Sequence, residues 1–159
     1  MASRDQLYAK LGITAEAAQL FETALGTVVL ASKGHNNNWY VEQDPKAAAM
    51  ALETIEFSTL GRVLAMLKQE LRFEDDLVTS QFKRGLIARN KLFHGFFERH
   101  NFKVQSEEGQ DDMIADLEDL HEEFFRCWRV AEGLANALAE VVITEEQFEK
   151  HTSSESPSK

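Results

Sequence analysis

The sequence predicts an all-α fold, an antiparallel bundle of four to five helices. Three observations support this. Apolar residues recur every three or four positions over long stretches, most clearly through Met113, Leu117, Leu120, Phe124, Trp128, Ala131, Leu134, Leu138 and Val142. Only 2 prolines and 8 glycines interrupt 159 residues that are rich in the helix formers Ala, Leu and Glu. No stretch alternates apolar and polar side chains over the length of a strand, and no internal repeat is visible.

The elements follow in order. Residues 4 to 11 suggest a short helix ended by Gly12, after which Thr14 can cap a second helix. The apolar stripe of that second helix is Ala17, Leu20, Phe21, Ala24, Val28 and Ala31, and Gly34 is its expected stop. Gly34 to Asp44 is a polar connection. Asp44-Pro45 then opens a helix, with Asp as cap and Pro in the first turn. This helix is expected to reach Leu71, with Thr59-Leu60-Gly61 near its middle. The glycine there costs about 1 kcal/mol against alanine, which suggests a close helix crossing. Phe73 to Asp76 is an acidic turn in which Asp75 or Asp76 can cap a central helix from Leu77 to about His100. After a loop at Asn101 to Gln110 comes the long Met113 helix, expected to bend near Gly133. Thr144 with Gln147 matches a capping box for a last short helix. The expected organisation is a short N-terminal helix in residues 1–13, a single bundle domain at 14–150, and a serine-rich tail at 151–159 that is expected to be disordered.

Composition narrows the function. Hydrophobic residues make up 43% of the chain, enough for a folded core. The N-terminus has no apolar signal segment. The most apolar run, Ile13 to Ala31, is interrupted by Glu16 and Glu22, so no membrane span is expected. The single Cys127 excludes an internal disulfide and reads as a packing residue. These features point to a cytoplasmic protein with no membrane partner. There is no phosphate-binding glycine loop, cysteine pair, GxSxG or HExxH, and neither a metal nor any other cofactor is expected. His121-Glu122-Glu123 lacks a second histidine, and Asp112, Asp116, Asp119, Glu122 and Glu123 read as a solvated face.

The net charge of -10 argues against passive nucleic-acid binding, and DNA is not expected as a partner. The charge is segregated, however. Lys83 to Lys103 balances to +5, while Val104 to Glu149 balances to -12. If the basic stretch meets RNA, Lys83, Arg84, Lys91 and Arg99 are the residues to do so. The alternative is salt bridging between the two helices.

The basic helix is itself unusual. On a helical wheel Arg89 falls in one stripe with Val78, Phe82, Leu86, Phe93 and Phe96. Ile87, Asn90, His94 and Phe97 fall on an adjoining, partly apolar face. One side would meet the bundle. The other could meet a second copy of the chain, with Ile87 and Phe97 in the dimer interface.

Arg89-Asn90-Lys91-Leu92-Phe93-His94 resembles the R-x4–6-H motif of the HEPN superfamily, whose first intervening residue is typically polar. Thr59-Leu60-Gly61 and the run from Arg89 to Phe97 also look like bacterial HEPN-like proteins, and the resemblance spans roughly residues 14 to 142. It implies a metal-independent endoribonuclease of toxin or defence type, built as a homodimer with two motifs in one site and controlled by an antitoxin or regulatory protein. Arg89 would hold the scissile phosphate, His94 would move protons, and Asn90 would orient the imidazole or the phosphate. One departure is Phe96, where some HEPN toxins carry a tyrosine that a partner antitoxin adenylylates, so that form of control is not expected. The other reading open to the sequence is a catalytically silent binding or regulatory module. In it Arg89, Asn90 and His94 form a structural polar network.

Overall fold

The computed structural model describes residues 1–73 and 76–154, with side chains through Val141. The described chain is all-helical: α1 Arg4–Asn36, α2 Pro45–Glu56, α3 Leu60–Glu70, α4 Leu77–Phe93, α5 Phe96–His100 and α6 Glu107–Ser154, with a 3-10 turn at Lys103–Gln105 before α6. No described helix is long and apolar enough to cross a membrane. The chain divides into two compact units. One is Met1–Thr23 with Phe73–Val130, and the other is Ala24–Arg72 with Ala131–Lys159.

α1 starts at a capping box rather than at Thr14. Ser3 Oγ accepts from the Gln6 amide at 3.2 Å, and Gln6 Oε1 accepts from the Ser3 amide at 2.9 Å. Gly12 does not end it. A glycine costs a helix only about 1 kcal/mol, and burial of Leu7, Ala18 and Phe21 on either side outweighs that. Thr14 is a buried interior residue whose hydroxyl donates to the Lys10 carbonyl at 2.8 Å. Leu20, placed in the stripe by periodicity, is 52% exposed.

In the first unit α1 and α6 run parallel: Ala2 meets Asp111, and the Thr14 hydroxyl reaches the Leu117 carbonyl. α4 runs antiparallel to both, with Phe21 stacked on Phe82 at 5.9 Å and Gln81 bonded to Glu123. The core here is Phe21, Phe82, Leu92, Phe96, Met113, Leu117, Phe124 and Cys127.

In the second unit, Asp44 caps α2 as expected, accepting from the Ala47 amide at 3.0 Å. The expected Pro45–Leu71 helix is two helices. Ser58 Oγ donates back to the Thr54 carbonyl, and Thr59 Oγ1 accepts from the Arg62 amide, so these side chains end one helix and begin the next. Gly61 therefore sits in a first turn, where the interior helix penalty does not apply. α1 meets α3 through Lys33–Glu70 at 2.8 Å, and Asn36 also donates to Glu70.

α6 is unbroken to Ser154, so no separate helix starts at Thr144, and residues 151–154 of the tail expected to be disordered are helical. Residues 155–159 lie outside the described residues, as does Asp75.

Candidate functional site: the α4–α5 break

Two local features set the geometry around Arg89. The first is a close helix approach. The buried residues of α4 are Phe82, Gly85, Ala88 and Leu92, spaced by three and four. Arg89 lies on the flank of this stripe, not within the larger apolar arc that periodicity assigns to it. A Cβ at Gly85 would lie 2.6 Å from Cys127 Sγ and 2.7 Å from the Phe21 ring. Glycine lets α4 sit close to both α1 and α6.

The second is a break. Gly95 adopts φ +84°, ψ 26°, the left-handed conformation that ends helices, and α4 stops at Phe93. The expected helix to His100 is therefore α4, a turn and α5. His94 is the C-cap, its amide donating to the Asn90 carbonyl at 2.9 Å. The turn sends Phe96 into the core at 2% exposure and leaves His94 in solvent.

The break also divides the predicted dimer face. Ile87 lines a groove between α4 and α6, whereas Phe97 lines one against α1. They share a wheel face only if the helix continues.

Arg89 is held by three groups. Its Nε donates to Glu22 Oε1 at 3.0 Å. Its guanidinium carbon lies 5.1 Å from the Phe93 ring centroid. Its Nη1 lies 3.3 Å from His94 Nε2. Arginine is always charged and can only donate, so this contact has Nε2 accepting and the imidazole proton on Nδ1. Arg89 and Glu22 side chains are 28% and 33% exposed, half-buried rather than sealed. Asn90 is exposed, and its amide is hydrogen-bonded to neither Arg89 nor His94. The three motif residues are thus near one another, but by their side chains only Arg89 and His94 touch.

The predicted RNA-binding residues are placed elsewhere. Arg84 pairs with Glu123 at 3.3 Å and Arg99 with Asp116, while Lys103 and His100 also pair with acids of α6. Lys91 borders the α4–α6 groove beside Asp116, Asp119 and Glu123, and Lys83 is exposed. Much of the segregated charge is thus helix-to-helix salt bridging, the alternative that the sequence left open. Asp116 records this. Burial pushes its carboxyl up, but hydrogen bonds from His100 and Arg99, with their charges, together hold it below its ordinary range.

Glu22 was missed by sequence reasoning, which read it only as an interruption of an apolar run. The available signal was general: an arginine among apolar neighbours needs a counter-charge. Which of 27 acidic residues supplies it is decided by packing. Among the described residues no cluster of three or more His, Cys, Asp or Glu is arranged to hold a metal ion. Comparison of this chain with family models, with curated proteins and with solved structures finds no match.

Proposed function

We propose that this is a HEPN-like, metal-independent RNA endonuclease that works as a homodimer, with Arg89 and His94 as its reacting groups and a protein partner controlling it. The observation that carries this is the 3.3 Å contact between Arg89 Nη1 and His94 Nε2 at an exposed helix break. A purely structural network would be expected to be buried, and His94 is in solvent.

Arg89 commits Nε to Glu22 and Nη1 to His94, and its guanidinium carries further N–H donors for a phosphate oxygen. Once a substrate phosphate draws Arg89 Nη1 away, the Nε2 lone pair of His94 is freed to take the 2′-hydroxyl proton, and the imidazolium so formed can give a proton to the leaving oxygen. A nucleophile carried by the RNA itself needs only a positioned base and a phosphate clamp. Asn90, on the exposed surface one turn before His94, is available to the substrate rather than to its neighbours.

The test is cleavage of RNA in EDTA, with DNA spared and cyclic phosphate ends formed. His94→Ala should abolish cleavage and change stability by less than about 0.5 kcal/mol, because the side chain is exposed. Cleavage that persists in His94→Ala eliminates the mechanism. Sedimentation should show a dimer at tens of micromolar, and mixing inactive Arg89→Ala and His94→Ala chains tests whether each subunit supplies one group.

One observation favours a second reading, a silent module in which Arg89 sets helix register: the half-buried pair with Glu22. Arg89→Ala should cost about 1–2 kcal/mol, from a partly screened ion pair and a cation–π contact. If that loss appears while wild-type protein cleaves no RNA, the silent module is the better description.

A further inference from the structure

We infer that the groove between α1 and the α4–α5 break is a nucleobase subsite selecting guanine, with Glu98 as the specificity-determining residue. This rests on the RNA-cleaving reading of Arg89 and His94 and names the substrate feature next to the scissile phosphate.

The groove has a volume of about 440 Å³, within the range of small-ligand sites. Neither Arg89 nor His94 lines it, but Phe93 links the groove to Arg89, forming part of its wall and lying 5.1 Å from the Arg89 guanidinium carbon. Phe93 and Phe97 are 45% and 43% exposed, aromatic rings that their own fold leaves half-covered. Outside the lining, the Tyr8 ring lies 6.5 Å from that of Phe97. Exposed rings beside a phosphate-binding cation suit an unpaired nucleotide: the base stacks and the phosphate is neutralised. A base within a duplex has no free face to offer.

Glu98 decides which base. It lines the groove, and a Cβ at Gly95 would lie 3.6 Å from its Oε2, which places the carboxylate beside the residue following His94. Among the described residues Glu98 forms no ion pair, because neighbouring Arg99 turns to Asp116 instead. An ionised carboxylate can only accept hydrogen bonds. Guanine presents two adjacent donors on its Watson–Crick edge, N1–H and the N2 amine, which match two carboxylate oxygens. Adenine and cytosine offer an amine next to a bare ring nitrogen. Uracil offers one N–H between two carbonyls that the carboxylate repels.

The test is equilibrium binding, by fluorescence anisotropy, of single-stranded RNA tetranucleotides with a 2′-deoxy sugar before the central phosphate, so that no cleavage occurs there. One position carries G, inosine, A, C or U. Guanine should bind at least about tenfold tighter than A, C or U, with inosine, which lacks the N2 amine, in between. Glu98→Gln should compress the guanine preference to about twofold with an unchanged melting temperature, and Phe97→Leu should weaken all bases about tenfold. Equal binding of all bases, no binding at all, or a preference that survives Glu98→Gln overturns the subsite. Cleavage of ordinary RNA without base preference overturns the subsite and leaves the nuclease. Guanine-selective binding without cleavage keeps the subsite and overturns the nuclease.

Discussion

Replacing Gly85 by alanine tests the close packing that brings α4 against α1. In an exposed helix interior this change stabilises by about 0.8–1 kcal/mol. At Gly85 the added methyl would meet Cys127 Sγ at 2.6 Å and Phe21 carbons at 2.7 and 3.0 Å. Both neighbours are fully buried, so neither can swing into solvent. Overpacking of this kind costs roughly 1–3 kcal/mol, which exceeds the propensity gain. The expected net effect is destabilisation of up to about 2 kcal/mol. For a chain of this size that lowers Tm by up to roughly 8 °C. Urea unfolding followed by circular dichroism measures it directly, at an unchanged m-value. Two glycines serve as internal controls. Gly12 and Gly133 have nothing within 4 Å of an added Cβ and lie in α1 and α6. Gly12→Ala and Gly133→Ala should each stabilise by about 0.5–1 kcal/mol. Adding Cys127→Ala to Gly85→Ala removes one of the two clashes, so the double variant should be more stable than the sum of the single effects. If Gly85→Ala stabilises as much as the controls do, the three-way contact is refuted, and with it the account of how Arg89 comes to face Glu22.

Two further predictions concern ionisation. Burial pushes the Cys127 thiol up to about 11, so iodoacetamide at pH 8 should leave it unmodified in the folded protein and alkylate it once urea unfolds the chain, as read by mass spectrometry. Asp116 and Glu70 both have lowered carboxyl values: Asp116 because His100 and Arg99 together outweigh burial, Glu70 chiefly through its hydrogen bond from Lys33. A depressed folded value contributes stability above the ordinary carboxylate range and loses it as pH falls through the folded value. Asp116→Asn and Glu70→Gln should each lower stability near neutral pH and flatten its loss on acidification, as shown by unfolding curves between pH 7 and pH 2.

Much of this protein could be derived from local rules. Helical spacing of apolar residues is enforced by the backbone itself, so the all-α class and most core positions of α6 were readable from Met113, Leu117, Leu120 and Phe124. The Asp44-Pro45 start was equally legible, because a cap acts within three residues of itself. The Arg89–His94 motif was visible as a spacing. What sequence alone misassigned were boundaries where weak local signals compete with packing. Gly12 looks like a stop but lies inside α1, since burial on both sides outweighs its helix cost. Thr59 looks like a mid-helix residue but begins α3. Gly95 breaks the central helix, because the left-handed turn lets Phe96 reach the core while α4 ends.

These boundaries determine the site. With α4 continuous, His94, Ile87 and Phe97 would share one face. With the break, His94 is an exposed cap, and Phe97 turns to α1. The partner of Arg89 is also a tertiary outcome. Glu22 is 67 residues away, and no local rule couples the two. Likewise, the sequence shows that basic and acidic charge are segregated. Only the packing of α4 and α5 against α6 determines that Arg84 and Arg99 pair with Glu123 and Asp116. Local structure follows from interactions within about four residues, which a sequence displays. Pairing between distant segments follows from which faces can be buried together, and that is settled only when the chain has packed.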